Sequence, residues 1–226
     1  MKDAAKLEGM YKESRALKML SHTNIIKLYH SFRHESNVVL IMEYASGGEL
    51  KKYVTNKHYL SEIESRKIFN QIVDAIAYCH GRYIIHRDIK LQNILFKSDT
   101  DKTVKVIDFG IAGTNYKAHK SNAGSLTYMA PELFEGPCIT SPSIDIWSMG
   151  IVLYAMIYGE IPFNGKTDEI LIDAIMHQKL HFPADRIVSP EVKALLNLLL
   201  EKDKSKRIKM HEIGFHEWFN VEYVIE

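Results

Sequence analysis

From Ile146 to Gly159 the chain runs fourteen residues without a charge, between Asp145 and Glu160. A membrane-spanning helix needs about 20 predominantly apolar residues, so this run is too short to cross a bilayer. It is also too apolar on every side to lie on a surface, and it reads as a helix buried all round. Such a helix requires the rest of the chain to wrap it in one substantial core. A length of 226 residues with 46% hydrophobic content can supply that core. Charges nearly cancel, with 29 Lys and Arg against 28 Asp and Glu, and no broad basic field or acidic tail stands out. Cys79 and Cys138 are too far apart for a zinc knuckle or a secreted disulfide framework. The first ten residues lack the apolar core of a secretory signal. The expectation is a soluble protein of the cytoplasm or nucleus, with neither nucleic acid nor membrane as partner.

The order of elements is helix and strands first, then a mainly helical remainder. Leu7, Met10, Leu17 and Leu20 fall at helical spacing over 6–20. Two apolar runs, Ile25–Leu28 and Val38–Met42, flank the turn-like segment 33–37 and predict a hairpin. Ser61 and Glu64 have capping-box spacing before an apolar-periodic stretch through Cys79. Ile84-Ile85, Ile94–Phe96 and Val104–Ile107 read as short strands. The stretch 108–142 carries turn residues and little periodicity, and loops that long inside a domain are usually functional. Further helices are expected near 144–158, 167–178, 190–201 and 209–219.

The chemistry concentrates in His86-Arg87-Asp88-Ile89-Lys90-Leu91-Gln92-Asn93, followed by Asp108-Phe109-Gly110 and Ala130-Pro131-Glu132. Each triplet alone is weak, and Asp88 or Asp108 alone could be a helix cap or a surface carboxylate. In this order, with short strands between, they resemble the catalytic domain of eukaryotic serine/threonine protein kinases. The resemblance covers nearly the whole chain. It implies an α+β, two-lobed kinase-like fold with a truncated N-terminal lobe (1–42), a hinge (43–49) and a complete, mainly helical C-terminal lobe (50–226). It also implies ATP and magnesium as cofactors and protein Ser/Thr acceptors as substrates.

In such a site Asp88 accepts or orients the proton of the attacking hydroxyl, and Lys90 stabilises the transferring phosphoryl group. Asn93 and Asp108 offer oxygen to magnesium, a hard cation. The segment from Ile41 to Leu50 resembles the hinge. There, backbone groups of Glu43 and Ala45 would bond adenine, Met42 would limit the pocket behind it, Glu49 would reach the ribose, and Leu50 with Leu95 would hold the base from below. Glu49 could instead be a solvent-facing carboxylate at a helix start. Asp145 resembles the brace of the catalytic loop, and Glu132 is expected to pair with Arg207. Phe109, His86, Leu17 and Leu28 are expected to stack as a spine between the lobes.

Lys90, and Ser125 within Gly124-Ser125-Leu126-Thr127-Tyr128, resemble the serine/threonine-specific pattern. The hinge and Asn24–Tyr29 look most like the calmodulin-dependent and AMP-activated branch. Arg87 before Asp88 suggests activation by an upstream kinase, with Ser121 at the place of the usual phosphosite; Gly113 replaces a basic residue common in regulated members. Two acidic positions used by basic-directed kinases are Gln92 and Ala155 here, so one upstream basic residue, bound by Glu49, is expected in the substrate.

Glu13 occupies the place of the family's helix glutamate, whose partner is a lysine on the preceding strand. No such lysine precedes it: Lys2 and Lys6 lie in or beside its own helix, Lys6 about 10 Å along the axis. Nor does the chain contain G-x-G-x-x-G. Two readings follow: an active Ser/Thr kinase of which this is an N-terminally shortened piece with weak activity, or a catalytically poor kinase-like regulatory or binding module. Either would expose apolar edges in the small lobe.

Overall fold

The computed structural model describes residues 2–35, 37–112, 126–136 and 141–220, with side chains from Gly9 onward. Its helices and strands run α1 (Lys2–Lys18), β1 (Leu28–His34), β2 (Asn37–Met42), α2 (Leu50–Lys57), α3 (Glu62–His80), β3 (Ile94–Phe96), β4 (Val104–Val106), α4 (Ser143–Tyr158), α5 (Asp168–His177), α6 (Pro190–Leu199) and α7 (Met210–Ile213). Single 3-10 turns occupy Leu91–Asn93, Pro131–Leu133 and Glu217–Phe219. The chain is α+β: α1 and the β1–β2 hairpin form a small lobe, and the remaining helices with the β3–β4 hairpin form a large one.

The uncharged run becomes α4, with every residue from Ile144 to Tyr158 buried. Its close packing depends on two glycines. A Cβ on Gly150 would sit 2.8 Å from Leu200 Cδ2 and 2.9 Å from Leu199 Cβ, so glycine lets the end of α6 approach. Gly159 ends the helix with φ +74, a left-handed conformation that favours glycine. A Cβ there would also collide with the His58 carbonyl. Arg186 donates to the Ile157 and Leu60 carbonyls, placing a cation on the C-terminal end of the helix. Trp147 stacks on Phe163 with centroids 5.7 Å apart.

A buried ion pair ties the segment after Ala130 to α4 and the chain beyond α6. Arg207 donates to both oxygens of Glu132 at 2.8 and 2.9 Å, and also to the Ser143 and Glu201 carbonyls. Its guanidinium lies 5.1 Å from the Trp147 ring. Burial would raise the Glu132 pKa, but the bonds from Arg207 hold it below its ordinary value.

In the small lobe β1 and β2 pair antiparallel, with Phe32 opposite Val39 and His30 opposite Ile41. The face carrying Ser31 meets α1, where Ser14 Oγ donates to Ser31 Oγ at 2.9 Å. The opposite face is open: Phe32 is 42% exposed and Ile41 47%. β2 has no strand on its outer edge among the described residues.

Several local expectations are corrected. Of the run Ile25–Leu28 only Leu28 enters the hairpin strand; Ile25 instead bridges Val106 in the large lobe, and β1 continues through Arg33 and His34. Ile84 and Ile85 are buried but lie in no named strand. The Ser61 side chain accepts from the Glu64 amide, but the Glu64 carboxylate turns away to Lys57 and Tyr53, so only half of the capping box forms. A lysine charge attracts that carboxylate more strongly than a neutral amide. The last expected helix is one short helix followed by a 3-10 turn.

Removing one partner of the Glu132–Arg207 pair leaves a buried charge alone. Arg207→Met is expected to cost about 3–5 kcal/mol in urea unfolding, with part of that recovered when Glu132→Leu is added.

Candidate active site

The site is assembled on Asp145, in the first turn of α4 and with no exposed surface. One oxygen accepts from the Arg87 amide at 2.8 Å; the other accepts from the His86 amide at 2.9 Å and meets His80 Nε2 at 2.8 Å. Burial would raise its pKa, yet the bond and charge of His80 and the backbone donors hold it below the ordinary value. These bonds hold the loop from His86 to Asn93 in a conformation it would not choose. Arg87 has φ +73, and Asp108 has φ +66. Left-handed backbone at such residues costs on the order of 1–3 kcal/mol and persists only when surrounding contacts impose it.

Within the loop three side chains converge. Lys90 Nζ donates to Asp88 Oδ2 at 2.6 Å, and Asn93 Nδ2 donates to the same oxygen at 2.9 Å and to the Asp88 carbonyl at 2.8 Å. The amide of Asn93 is thereby oriented, and its Oδ1 has no partner among the described residues. Asp108 is exposed, and one of its oxygens accepts weakly from the Gly110 amide at 3.3 Å. Neutral and anionic oxygens of this kind suit a hard divalent cation.

Beneath the loop His86 is fully buried. Its Nε2 meets the Ile107 carbonyl at 3.0 Å, and its ring meets Phe109 edge-on at 4.6 Å. Phe109 and Leu17 are buried in the same core, and Leu28 packs against it. Tyr128 borders the loop from the other side. Burial, with Asp88 nearby, pushes its hydroxyl up to about 12 despite a bond to the Leu91 backbone. Ser148 of α4 donates to the Tyr128 carbonyl at 2.7 Å.

The hinge segment is tied to β3: the Gly47 amide donates to the Phe96 carbonyl, and the Phe96 amide donates to Gly48. A Cβ on Gly47 would lie 2.5 Å from the Ser98 carbonyl, so only glycine permits this approach. The Glu43 amide donates to the Lys27 carbonyl, and its carboxylate pairs with Lys105 at 2.9 Å. The Glu43 carbonyl and the Ala45 amide have no partner among the described residues. Glu49 caps α2 with its backbone alone, and its carboxylate is exposed.

Some expected positions differ. Leu50 has no exposed surface, so it supports the floor from within the core, whereas Leu95 is only partly buried. Met42 is 38% exposed at the end of β2, whose outer edge carries no strand among the described residues. Arg87 donates from Nη1 to the Ile111 carbonyl at 3.1 Å. Glu13 approaches the Phe109 amide, and burial, reinforced by Asp108, raises its pKa; no cation partner faces it among the described residues. Ser121, Ser125, Gly113, Cys138 and the side chains of Lys2 and Lys6 lie outside the described residues.

Two contributors escaped the sequence reading. His80, at the end of α3, is the third donor to Asp145, and Lys105, in β4, neutralises the hinge glutamate. Neither belongs to a local motif; only the apolar setting of Asp145 signalled that it would need donors.

Residues 1–219 match the family model described as the protein kinase domain. Over 223 residues the chain is 37% identical to the serine/threonine-protein kinase SIK1 of Rattus norvegicus, covering 97% of this chain and 28% of that protein. It is 36% identical to SIK1 of Mus musculus and to the serine/threonine-protein kinase SIK2 of Gallus gallus, again over 97% of this chain. The chain thus spans a little over a quarter of the length of these curated relatives.

Asp145 gives the fold an acid limit. Because its folded pKa lies below the unfolded value of about 3.9, its contribution is complete above that pH and is lost as pH falls through the folded value. Urea midpoints measured along an acid series should therefore fall less steeply in Asp145→Asn than in the parent, from a lower starting stability.

Proposed function

The chain belongs to the protein kinase domain family, and from that premise we propose that it transfers the γ-phosphoryl group of ATP to serine or threonine hydroxyls of protein substrates. The observation that carries this reading is the convergence of Lys90 and Asn93 on one oxygen of Asp88, in a loop held by buried Asp145. Phosphoryl transfer requires little covalent work from a protein; positioning and charge neutralisation supply most of the rate.

Each group then has a role. Asp88 takes the proton of the attacking hydroxyl while Lys90 and Asn93 fix its carboxylate. Lys90 also stands where it can stabilise the transferring phosphoryl oxygens. Asn93 and Asp108 would hold magnesium, which when bound neutralises phosphate charge. The unpartnered Glu43 carbonyl and Ala45 amide suit the donor and acceptor edge of adenine, above Leu95, and the exposed Glu49 carboxylate suits ribose hydroxyls. Phosphorylation at Ser121 by an upstream kinase, with Arg87 as a partner for the phosphate, belongs to the same reading. No described helix is long and apolar enough to cross a membrane.

One observation favours a second reading, a catalytically poor kinase-like module. Glu13 lies beside Asp108 with no cation between them among the described residues, so the charge that would hold the α and β phosphates is not supplied there. Transfer of labelled phosphate from ATP-magnesium to serine peptides separates the two. The first reading expects measurable transfer that Asp88→Asn lowers about 10²–10⁴-fold while the urea midpoint stays near that of the parent. Absence of transfer by the folded parent chain would establish the second.

A further inference from the structure

Between α2, the first turns of α3 and the β3–β4 turn lies a cavity of about 730 Å³, within the range of roughly 300–1,000 Å³ typical of ligand pockets. Its apolar walls are Tyr53, Ile63, Ile68 and Phe96, and the Tyr53 and Phe96 rings meet edge-on with centroids 5.0 Å apart. Successive residues of a strand point to opposite faces, so Phe96 turns to this cavity while Leu95 turns to the other side of β3. None of the lining residues belongs to the loop 86–93.

The polar groups around it divide into the spent and the open. Glu64 accepts from the Tyr53 hydroxyl and from Lys57 at 2.8 Å. Burial would raise its pKa, yet those bonds hold it below the ordinary value. Asp101 accepts from the Thr103 amide and hydroxyl at 2.9 and 2.6 Å, and pairs with Lys97 at 2.9 Å. The Gln71 oxygen accepts from Asn24 and from the Val104 amide. Lys67 and Lys102 remain: both are exposed, and neither has an ion-pair partner among the described residues. Lys102 Nζ stands 5.0 Å from the Tyr53 and Phe96 ring centroids, at the aromatic wall. With Lys57 set against Glu64 and Lys97 against Asp101, the charge left over around the cavity is positive.

We propose that this cavity docks an acidic segment of a partner protein, one large apolar side chain entering between Tyr53, Ile63, Ile68 and Phe96 while flanking carboxylates pair with Lys67 and Lys102. A basic segment would find both carboxylates of the cavity already bonded and would be repelled by the two ammonium groups. A purely apolar segment would fill the walls and leave those groups unmatched. The two lysines stand on different elements, α3 and the β3–β4 turn, which suits carboxylates on both sides of an anchor residue. The apolar anchor carries most of the affinity, as buried centres of interfaces do. The exposed ion pairs add less and supply the choice of partner. Because the cavity shares no residue with the loop 86–93, the inference stands whether or not the chain transfers phosphate.

The test reads binding, not turnover. Fluorescence anisotropy of the 226-residue chain is measured with labelled peptides of alanine background carrying Glu-Glu-Phe-Glu-Glu at their centre. Saturable binding is expected, weakened about tenfold when the peptide phenylalanine becomes alanine. Lys67→Gln and Lys102→Gln should each weaken it by up to about fivefold, less so at high salt. Combining Lys67→Glu with Lys102→Glu should transfer the preference to Lys-Lys-Phe-Lys-Lys, with a urea midpoint near that of the parent because both side chains are exposed. Equal binding of the acidic and basic peptides by the parent, indifference to the phenylalanine, undiminished binding in the two glutamine variants, or no binding of the acidic peptide would overturn the proposal. Peptide binding with this pattern by a chain that transfers no phosphate would remove the proposed activity and leave the docking site standing.

Discussion

A carboxylate with no contact with water holds the molecule's chemistry in place. Asp145 stands in the first turn of the buried α4, and its two oxygens are taken by the His86 and Arg87 amides and by His80. An ionised group in such surroundings is tolerable only when donors surround it, so the same bonds that satisfy Asp145 pin the loop that begins at His86. The left-handed backbone of Arg87, the buried ring of His86 and the orientation of Asp88 all follow from that anchorage.

Around it the large lobe holds a second buried charge in the same way, by bringing an opposite charge and carbonyl acceptors to it. Arg207 reaches both oxygens of Glu132 and further carbonyls, and lies over Trp147. Lys105 does the same work for Glu43 behind the hinge. Unpartnered polar atoms occur both in the core, as at Trp147 Nε1 and the Tyr158 hydroxyl, and around the candidate site. The Glu43 carbonyl, the Ala45 amide, Asn93 Oδ1 and Gln92 Oε1 lack protein partners among the described residues. All four belong to the segment 43–49 or the loop 86–93. The small lobe contrasts with this economy of polar groups, for its hairpin leaves Phe32 and Ile41 open to water.

Much of the architecture was legible because it is written in local patterns. The buried helix showed in an uncharged run, α3 in its Ser61 cap and apolar period, and β3 and β4 in short apolar stretches between polar loops. Boundaries failed where a residue had a distant competitor. Ile25 looked like hairpin strand but bridges Val106, and Glu64 had capping-box spacing but is drawn to Lys57. The grouping of Asp88, Lys90 and Asn93 in one loop was expected from the resemblance, and Lys90 and Asn93 do converge on Asp88. The exposure of Leu50, fully inside the core, and of Met42, 38% exposed at the end of β2, was not, since exposure depends on what packs alongside.

By itself the sequence determined which loop carries the clustered polar residues 86–93 and the existence of a helix with no polar face, because both depend on residues close together in the chain. The tertiary structure alone decided that His80 meets the buried Asp145 across 65 positions, whereas the meeting of Arg207 with Glu132 across 75 was already expected from the resemblance. It also decided that Glu13 faces the Phe109 amide, and that Tyr53, Lys67 and Lys102 border one cavity. Contacts at such separations are set by how elements pack, and desolvation, which selects the partner of each buried charge, exists only once they have.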